Sequence, residues 1–284
     1  MATNGSDPFR YHPTFTLPSG SIVHTWLCDS PRAIIVLQHG FGEYAERYVK
    51  SHAELIPTLN INGFEVWAMD LWGHGRSPGT RGMVNVRLAV KDHLQVRLRA
   101  AEKGFRVFLM GHSLGGLITA VSVAKNSSSA SDGVILCSPA LPATMMALGE
   151  HAISLVARLA PTIRIPIPKS PLEELSHDTH CVRQASQDSS MYKGQISFLV
   201  AATALHEARQ MWPILRHWTK PTLIMHGTSD SYTKHEQSEH FVREIASEDK
   251  TLHLIKEGYH ELLNDADYES TLQTVLGWLE SQLC

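Results

Sequence analysis

One serine of this chain stands in a short motif whose residue types and spacing suit nucleophilic chemistry. Ser113 is the third residue of the stretch GHSLGG at 111–116, which follows an apolar, strand-like run at 107–110 and precedes small residues typical of a helix. On a sharp strand-to-helix turn the serine Oγ rises above the sheet edge, and small residues two positions away on either side let the two backbones approach closely. The amino end of the helix adds positive potential where an oxyanion would form. We therefore interpret Ser113 as a catalytic nucleophile.

A serine hydroxyl is a weak nucleophile, so the chain must also supply a base and an acid that orients the base. With a serine on this kind of turn, the acid comes next along the chain and the histidine comes last. Asp230 closely follows a predicted strand at 221–225, and His260 lies in the loop after the last predicted strand, so these two residues complete the expected triad. Glu257 is a weaker candidate for the acid because it lies only three residues before His260. Three further histidines are less suitable as the base: His112, His226 and His253.

The same chemistry needs two backbone N–H groups that stabilise the negative oxygen of the transition state. On a strand-turn-helix motif one donor is the residue after the nucleophile, which here is Leu114. The second donor is expected from the loop HGFG at 39–42, which follows the predicted strand Ala33–Gln38. Phe41 is the best candidate in that loop because glycines on both sides let its backbone face the site.

Strands and helices alternate along most of the chain, and the glycine-rich and polar loops follow strands. This alternation predicts an α/β fold with a doubly wound, mostly parallel sheet and a site at the carboxyl ends of the strands. The first two expected strands, at 15–17 and 22–27, form a hairpin. The other expected strands are at 33–38, 64–69, 107–110, 133–137, 221–225 and 251–255. The expected helices flanking them are at 48–61, 84–103, 236–246 and 268–283.

The alternation stops at residues 142–212, which we call the cap segment. Within 145–160 the polar residues fall on one helical face and leave a wide apolar face that includes Leu155 and Leu159, and a later helix is expected at 195–209. Because the segment lies between the nucleophile and the acid, we expect a helical cap over the strand ends that separates two core parts, 1–141 and 213–284. The alternative is a peripheral helical insertion without a role in substrate binding.

Five ordered motifs together resemble a known family. They are HGFGE at 39–43 followed by Arg47 and Tyr48, DLWGHGRS at 70–77, GHSLGG at 111–116, GTSD at 227–230 and GYH at 258–260. This set resembles the α/β-hydrolase superfamily and, within it, the monoacylglycerol lipase and lysophospholipase-like branch of serine aminopeptidase S33 type. The resemblance covers nearly the whole chain. It implies a triad of Ser113, Asp230 and His260, an acyl-enzyme intermediate, no cofactor, and a cap that shapes an acyl-binding tunnel.

The resemblance also directs attention to residues that would bind substrate. The substrate-binding residues expected on this basis and from the apolar cap face are Glu43, Arg47, Leu155, Leu159 and Leu263. The chain departs from the branch in several places. Tyr44 stands where histidine is common, Ala185 and Leu263 stand where mammalian monoacylglycerol lipases have a cap tyrosine and a second histidine, and Asp188-Ser189 replaces an Asp-Pro pair. These departures leave the hydrolytic residues intact and change those that would recognise glycerol.

Composition and charge exclude several other classes of protein. A formal net charge of −3 gives no electrostatic basis for a nucleic-acid partner. No run approaches the ~18–20 apolar residues of a membrane span, and the polar start of the chain lacks the apolar region of a signal peptide. We therefore expect a cytoplasmic protein, with transient contact between the cap and a membrane surface as a further option. Four widely spaced cysteines show no disulfide framework, and the seventeen histidines show no metal-ligand spacing, so neither a metal nor a cofactor is expected.

These features predict a serine carboxylic ester hydrolase that acts on lipid-like esters, most similar to a monoacylglycerol lipase. Its partner would be a small-molecule or lipid ester, and the chain would act as a monomer or a homodimer. The enzymatic alternatives are a lysophospholipase, a lactonase, and a small-molecule esterase or acyltransferase. The alternative from a different class is a ligand-binding module on the same fold, because a fold does not by itself imply activity.

Overall fold

The computed structural model describes residues 12–126, 130–143, 147–166 and 170–284. Its strands are β1 (Thr14–Thr16), β2 (Ile22–Trp26), β3 (Ala33–Gln38), β4 (Phe64–Met69), β5 (Arg106–His112), β6 (Gly133–Cys137), β7 (Thr222–Gly227) and β8 (Lys250–Ile255). Within the described residues these strands form one sheet in the order β1-β2-β4-β3-β5-β6-β7-β8. The pairs β1–β2 and β2–β4 are antiparallel, and the later pairs are parallel. The predicted α/β class with a mostly parallel sheet is confirmed.

Helices cover both faces of this sheet. They are α1 (Leu55–Ile61), α2 (Val86–Ala101), α3 (Leu114–Lys125), α4 (Ala147–Leu159), α5 (Thr179–Gln187), α6 (Phe198–Met211), α7 (His235–Glu244) and α8 (Tyr268–Leu283). One buried apolar cluster joins the sheet to α2, α3, α6 and α7, and a second joins its other face to α1 and α8. Every residue of β3, β4 and β7 is buried, as expected for strands covered on both faces. Loops at the carboxyl ends of the strands therefore remain as the place for a site.

The helix expected at 48–61 is interrupted in the structure. A short 3-10 segment covers Ala45–Val49, and α1 begins only after a break. Three residues in the break have positive φ: His52, Ala53 and Glu54. The His52 N–H and the Ser51 hydroxyl both donate to the side-chain oxygen of Asn264. This contact with the loop after β8 overrides the helical periodicity of the sequence.

Between β6 and β7 the chain is largely helical, as expected of the cap segment. α4 corresponds to the first expected cap helix, of which residues 145 and 146 lie outside the described part of the chain. α6 corresponds to the second and packs against α2, α3 and α4. α5 is absent from the sequence-based expectation because its stretch THCVRQASQ has few apolar residues. The boundaries at 141/142 and 212/213 stay a prediction.

Among the described residues, no helix combines the length and the hydropathy needed to cross a membrane. Residues 1–11, on which the expectation about a signal peptide depends, lie outside the described residues.

Candidate active site

Ser113 occupies the turn between β5 and α3, with φ 51° and ψ −119°. Residues with side chains rarely adopt this backbone region, so the surroundings must hold the serine in place. The Ser113 N–H donates to the Cys137 carbonyl at 3.0 Å. A Cβ at Gly111 would lie 2.6 Å from the Gly115 carbonyl oxygen, and a Cβ at Gly115 would lie 2.2 Å from that of Gln38. The strand and helix backbones therefore touch, as the motif predicts, and neither glycine position has room for a larger residue.

The carboxyl ends of β5, β7 and β8 bring the three expected triad residues together. His260 Nε2 lies 3.0 Å from Ser113 Oγ, and His260 Nδ1 lies 2.8 Å from Asp230 Oδ2. Both distances are within hydrogen-bonding range. Glu257, the weaker candidate for the acid, is exposed, and its carboxylate lies 3.8 Å from the amine of its neighbour Lys256. The arrangement can pass a proton from Ser113 Oγ to His260 Nε2.

The surroundings of Asp230 keep it ionised. Its carboxylate is fully buried and accepts the N–H groups of Tyr232 and Thr233 at 2.8 and 3.0 Å, together with the Thr233 hydroxyl at 2.8 Å. Burial alone would raise the pKa of Asp230, but the charge of His260 and the hydrogen bonds from His226, His260 and the Thr233 amide lower it below the usual range. The carboxylate can therefore stabilise a positive charge on the His260 ring.

Two backbone N–H groups beside Ser113 are available to an oxyanion. We call residues 39–44 the oxyanion loop, because it carries Phe41, the expected second donor. A Cβ at Gly40 would lie 3.0 Å from Ser113 Cβ, so this loop passes directly over the serine. Within the described part of the chain, neither the Phe41 N–H nor the Leu114 N–H donates to a protein acceptor. Both groups can therefore donate to a bound molecule.

Glu43 anchors the oxyanion loop from beneath. Its Oε2 accepts the Gly40 N–H at 2.8 Å and the Tyr48 hydroxyl at 2.9 Å, and it lies 2.7 Å from His112 Nδ1. Burial would raise the pKa of Glu43, but the positive charges of nearby side chains, His112 foremost, lower it well below the usual range. The buried carboxylate therefore fixes the start of the loop against the residue that precedes Ser113.

Arg47 and Glu261 form a buried ion pair that the sequence did not predict. Two guanidinium nitrogens of Arg47 donate to the two oxygens of Glu261, each at 2.8 Å, and one of them also contacts Glu43. Burial would raise the pKa of Glu261, but the charge of Arg47 outweighs it and the pKa is lowered to about 2. The only sequence signal for this pair was an acidic residue directly after His260.

A cavity of about 730 Å³ opens beside Ser113 and His260. Its walls are mainly apolar and include Leu117, Leu141, Leu172, Leu175, Met191 and Val200. Ligand sites of this size and character bury most of the surface of a small molecule. The cavity can therefore enclose an apolar group next to the serine hydroxyl.

The five residues expected to bind substrate, all within the described residues, have different positions relative to this cavity. Glu43 lines it, and the other four do not. The Arg47 guanidinium is paired with Glu261, and Leu263 packs into the buried apolar cluster with α1 and α8. Leu155 and Leu159 are 58% and 78% exposed, because the apolar face of α4 turns towards solvent. In this structure these four positions do not carry the expected contact.

Other residues supply the cavity wall in their place. Val200 and Ala204 lie one turn apart on α6, and their i, i+4 spacing was the available sequence signal. Tyr232, in the loop after β7, stacks on the His260 ring with centroids 4.9 Å apart and 20° between the planes. Its hydroxyl donates to two backbone carbonyls of the cap segment at 3.1 and 2.7 Å. Sequence reasoning missed Tyr232, although it is an aromatic residue close to the predicted acid.

Two groups of described residues bring three metal-ligating atoms to within 4.8 Å of one another: Glu43 with His52 and His112, and His12 with His24 and Glu46. In the first group the Arg47 guanidinium contacts Glu43, and this positive charge opposes a cation there. In the second group His24 already lies 2.9 Å from the Asp70 carboxylate. The absence of a catalytic metal stays a prediction.

The chain is similar to known lipases over most of its length. The chain is 28% identical over 278 residues to the monoacylglycerol lipase of Mycolicibacterium smegmatis, which covers 92% of this chain and 93% of that protein. It is 25% identical over 265 residues to a phospholipase of Bacillus subtilis, over 91% of this chain and 99% of that one. The crystal structure of Paleococcus ferrophilus monoacylglycerol lipase superposes with a TM-score of 0.80 at 29% identity, over 92% and 99% of the two chains.

The family model described as serine aminopeptidase, S33, matches residues 29–267. This match covers most of the sheet, the cap segment and the three loops that carry Ser113, Asp230 and His260. The resemblance drawn from the five sequence motifs is confirmed. The chain belongs to the serine aminopeptidase S33 family and has the α/β-hydrolase fold.

Proposed function

We propose that this chain hydrolyses esters with a lipid-like acyl group, in the manner of a monoacylglycerol lipase, through an acyl-enzyme on Ser113. The observation that carries the proposal is the continuous contact from Asp230 through His260 to Ser113, at 2.8 and 3.0 Å, beside a mainly apolar cavity. Membership of the family and similarity to monoacylglycerol lipases over 92% of the chain identify it as a carboxylic ester hydrolase.

In the proposed first step, Ser113 Oγ attacks the ester carbonyl while His260 Nε2 takes the hydroxyl proton. Asp230 holds the imidazole through Nδ1 and stabilises its positive charge. The N–H groups of Phe41 and Leu114 donate to the oxyanion. His260 then gives the proton to the leaving alcohol, which departs and leaves the acyl group on Ser113. In the second step His260 takes a proton from a water molecule, which attacks the acyl carbon. His260 then returns this proton to Ser113 Oγ as the bond between Oγ and the acyl group breaks and the acid leaves.

The cavity supports a medium or long acyl chain as the acid part of the substrate. Its apolar walls would bury methylene groups, each worth ~0.8 kcal/mol when removed from water. Glu43 and Glu261 also line the cavity and give it a polar end. Glu43 already accepts from Gly40, Tyr48 and Arg47, whereas Glu261 has fewer partners, so the Glu261 carboxylate would accept a hydroxyl group of the alcohol. A monoacylglycerol offers two such hydroxyl groups.

A lysophospholipid is the second candidate substrate. Lys193 and Lys234 also line the cavity, and their positive charges favour an anionic headgroup. The similarity to a phospholipase of Bacillus subtilis supports this candidate as well. A lactone, a small-molecule ester and acyl transfer to an alcohol use the same acyl-enzyme and stay as alternatives. A non-catalytic ligand-binding role would require that the Ser113 hydroxyl not react.

The test is a panel of esters measured with the wild-type chain and with Ser113→Ala. We expect hydrolysis of p-nitrophenyl esters from acetyl to stearoyl, hydrolysis of monoacylglycerols, and labelling by a fluorophosphonate probe, all lost in Ser113→Ala. Ser281→Ala is the matched control, because this serine on α8 is exposed and its hydroxyl donates to the Trp278 carbonyl of the same helix. Comparison of monoacylglycerols with lysophosphatidylglycerol, whose headgroup is anionic, then assigns the headgroup. Full activity or labelling in Ser113→Ala would contradict the assigned nucleophile.

We further propose that the outer face of α4 touches lipid surfaces transiently. Leu155, Leu159 and Ile163 are 58%, 78% and 52% exposed, and together they form an apolar surface on the cap segment. Co-sedimentation with phosphatidylcholine vesicles should fall when Leu155 and Leu159 are both changed to serine. Leu88→Ser is the matched control, because Leu88 is similarly exposed on α2. Equal co-sedimentation of both variants would contradict the proposed contact. The expectation of a monomer or homodimer is checked by light scattering on the same samples.

A further inference from the structure

A side-chain hydrogen bond joins the oxyanion loop to the cap segment. The Tyr44 hydroxyl donates to Asp188 Oδ2 at 2.8 Å. The other carboxylate oxygen accepts the Ser190 N–H at 2.7 Å, which fixes the orientation of the carboxylate within its own turn. Burial and the hydrogen bond to Asp188 raise the pKa of Tyr44, so its hydroxyl stays protonated and remains a donor. Neither Tyr44 nor Asp188 lines the cavity.

Tyr192 provides a second connection between the same two segments. Its N–H donates to the Gly42 carbonyl at 2.8 Å, and its ring packs edge-to-face on Phe41 with centroids 5.6 Å apart. Gly42 has φ 87°, and a Cβ there would lie 2.4 Å from the Tyr192 carbonyl oxygen. The backbone of the cap segment therefore rests directly on the loop one residue after Phe41. Arg164, whose guanidinium lies 5.1 Å from the centre of the Tyr192 ring, covers this tyrosine.

The core holds the same loop from the opposite side. The Gly40 N–H donates to Glu43 at 2.8 Å, and the Gly42 N–H donates to His74 Nε2 at 3.0 Å. The core therefore restrains Gly40 and Gly42, the two neighbours of Phe41. The cap segment also restrains Gly42, through Tyr192, and it restrains Tyr44 through Asp188. The direction of the Phe41 N–H depends on both sets of contacts, because a glycine-flanked peptide has little conformational preference of its own.

We propose that the Tyr44–Asp188 hydrogen bond is a positioning contact through which the cap segment holds the Phe41 N–H in the direction of the oxyanion. The inference rests on the proposed function, in which Phe41 supplies one of the two donors. Breaking this bond removes one of the two hydrogen bonds described above between the cap segment and the oxyanion loop, so the Phe41 peptide is restrained less from that side. Tyr44 and Asp188 are positioning residues, since they do not touch the reacting atoms. An oxyanion donor acts mainly in the transition state, so its misplacement lowers kcat and leaves KM nearly unchanged.

The test removes each half of the contact and measures a substrate whose two-carbon acyl group makes the least use of the cavity walls. Tyr44→Phe deletes only the hydroxyl, and Asp188→Ala deletes the acceptor. With p-nitrophenyl acetate, each variant should lose kcat by about ten-fold, the scale of one hydrogen bond to a charged group, with KM nearly unchanged. The double variant should lose no more than either single variant. Asp188→Asn keeps one acceptor oxygen, which can accept from either the Tyr44 hydroxyl or the Ser190 N–H, so its loss of kcat should be smaller than that of Asp188→Ala. Tyr268→Phe, an exposed tyrosine on α8, is the matched control.

Inhibition by phenylboronic acid, whose adduct with serine places an oxygen between the two donors, supplies the specific readout. Its Ki should rise by the same factor by which kcat/KM falls, whereas a merely structural role would leave Ki unchanged. The inference is overturned if Tyr44→Phe keeps wild-type kcat and Ki, or if its loss is confined to KM for long-chain esters. If Tyr44→Phe does not fold, kcat and Ki of Asp188→Ala are compared with those of Asp188→Asn. Equal values in these two variants and the wild type would then overturn the inference. A wild-type chain that is as inactive as Ser113→Ala would instead refute the proposed function.

Discussion

Replacing Gly115 by alanine should damage the site through a backbone collision. Gly115 is the second residue of α3, and a Cβ on it would lie 2.2 Å from the Gln38 carbonyl oxygen and 2.5 Å from that of His39. The first distance is about 0.8 Å shorter than the 3.0 Å below which real Cβ contacts essentially do not occur. Both obstructing atoms belong to backbone at the end of β3, so neither can rotate away. The first turn of α3 must move away from β3 by at least that amount.

This displacement separates the two oxyanion donors. The first turn of α3 carries the Leu114 N–H, and β3 leads directly into the loop that carries the Phe41 N–H. A misplacement of ~1 Å can cost ~10²-fold in rate, and loss of one donor costs ~10²–10³-fold. We therefore expect kcat of Gly115→Ala to fall by about 10²-fold. Overpacking should also lower the free energy of unfolding by ~1–3 kcal/mol, partly offset by the better helix propensity of alanine.

The matched control is Gly277→Ala. Gly277 also lies within a helix, α8, but a Cβ there meets no atom of another described residue within 4 Å, apart from its own helix backbone and chain neighbours. This variant should gain ~0.5–1 kcal/mol in the free energy of unfolding and keep wild-type kcat. The assay is kcat for p-nitrophenyl acetate, with urea unfolding of the same preparations to confirm that each sample is folded. Equal kcat in the two variants would refute the close approach of α3 and β3 as a requirement for activity.

Two further predictions concern the acid and the stability of the fold. Asp230→Asn should lower kcat by ~10³–10⁴-fold in steady-state kinetics, because a neutral amide cannot stabilise the imidazolium and favours the wrong tautomer; a loss smaller than ten-fold would argue for another acid. Burial lowers the pKa of His52, His74 and His93 to about 3 from an ordinary value of 6.5. Between about pH 3 and pH 6.5 the unfolded chain binds protons on these histidines that the folded chain does not. The free energy of unfolding therefore falls as the pH falls, by up to ~4 kcal/mol per pH unit for the three histidines together. The urea midpoint should therefore drop steeply below pH 6, and a flat profile between pH 7 and 5 would contradict this burial of neutral histidines.

The sequence predicts those parts of the fold that local pattern determines. Three strands have the predicted bounds because each is a mostly apolar run whose residues are all buried: Ala33–Gln38, Phe64–Met69 and Gly133–Cys137. Ser113, Asp230 and His260 could be proposed together because parallel strands end at one edge of the sheet, so that loops distant in sequence meet there. Periodicity also located α8, whose bounds agree with the expectation.

The orientation of α4 and the partner of Arg47 depend on contacts between segments that are distant in sequence, so the sequence did not predict them. The apolar face of α4 identified Leu155 and Leu159, but a helical pattern does not tell whether that face turns towards the cavity or towards solvent. Arg47 matched a substrate-binding pattern, yet its guanidinium is held by Glu261, which lies 214 residues away along the chain. No local pattern could reveal that pairing, because Coulomb attraction acts on the folded distance and not on sequence separation.

Different contacts hold the two oxyanion donors, the N–H groups of Leu114 and Phe41, in position. This difference limits how the cap segment can change when the substrate changes. The position of the Leu114 N–H depends on the contact between α3 and β3. At that contact Gly115 leaves no room for a larger side chain. Phe41 depends in addition on Asp188 and Tyr192 of the cap segment, which is also the part of the chain that shapes the cavity. A cap segment that changes to fit another substrate must therefore retain contacts that keep the oxyanion loop in position. The hydrogen bond from Tyr44, which stands where histidine is common in the branch, to Asp188 is one way in which this chain meets that requirement.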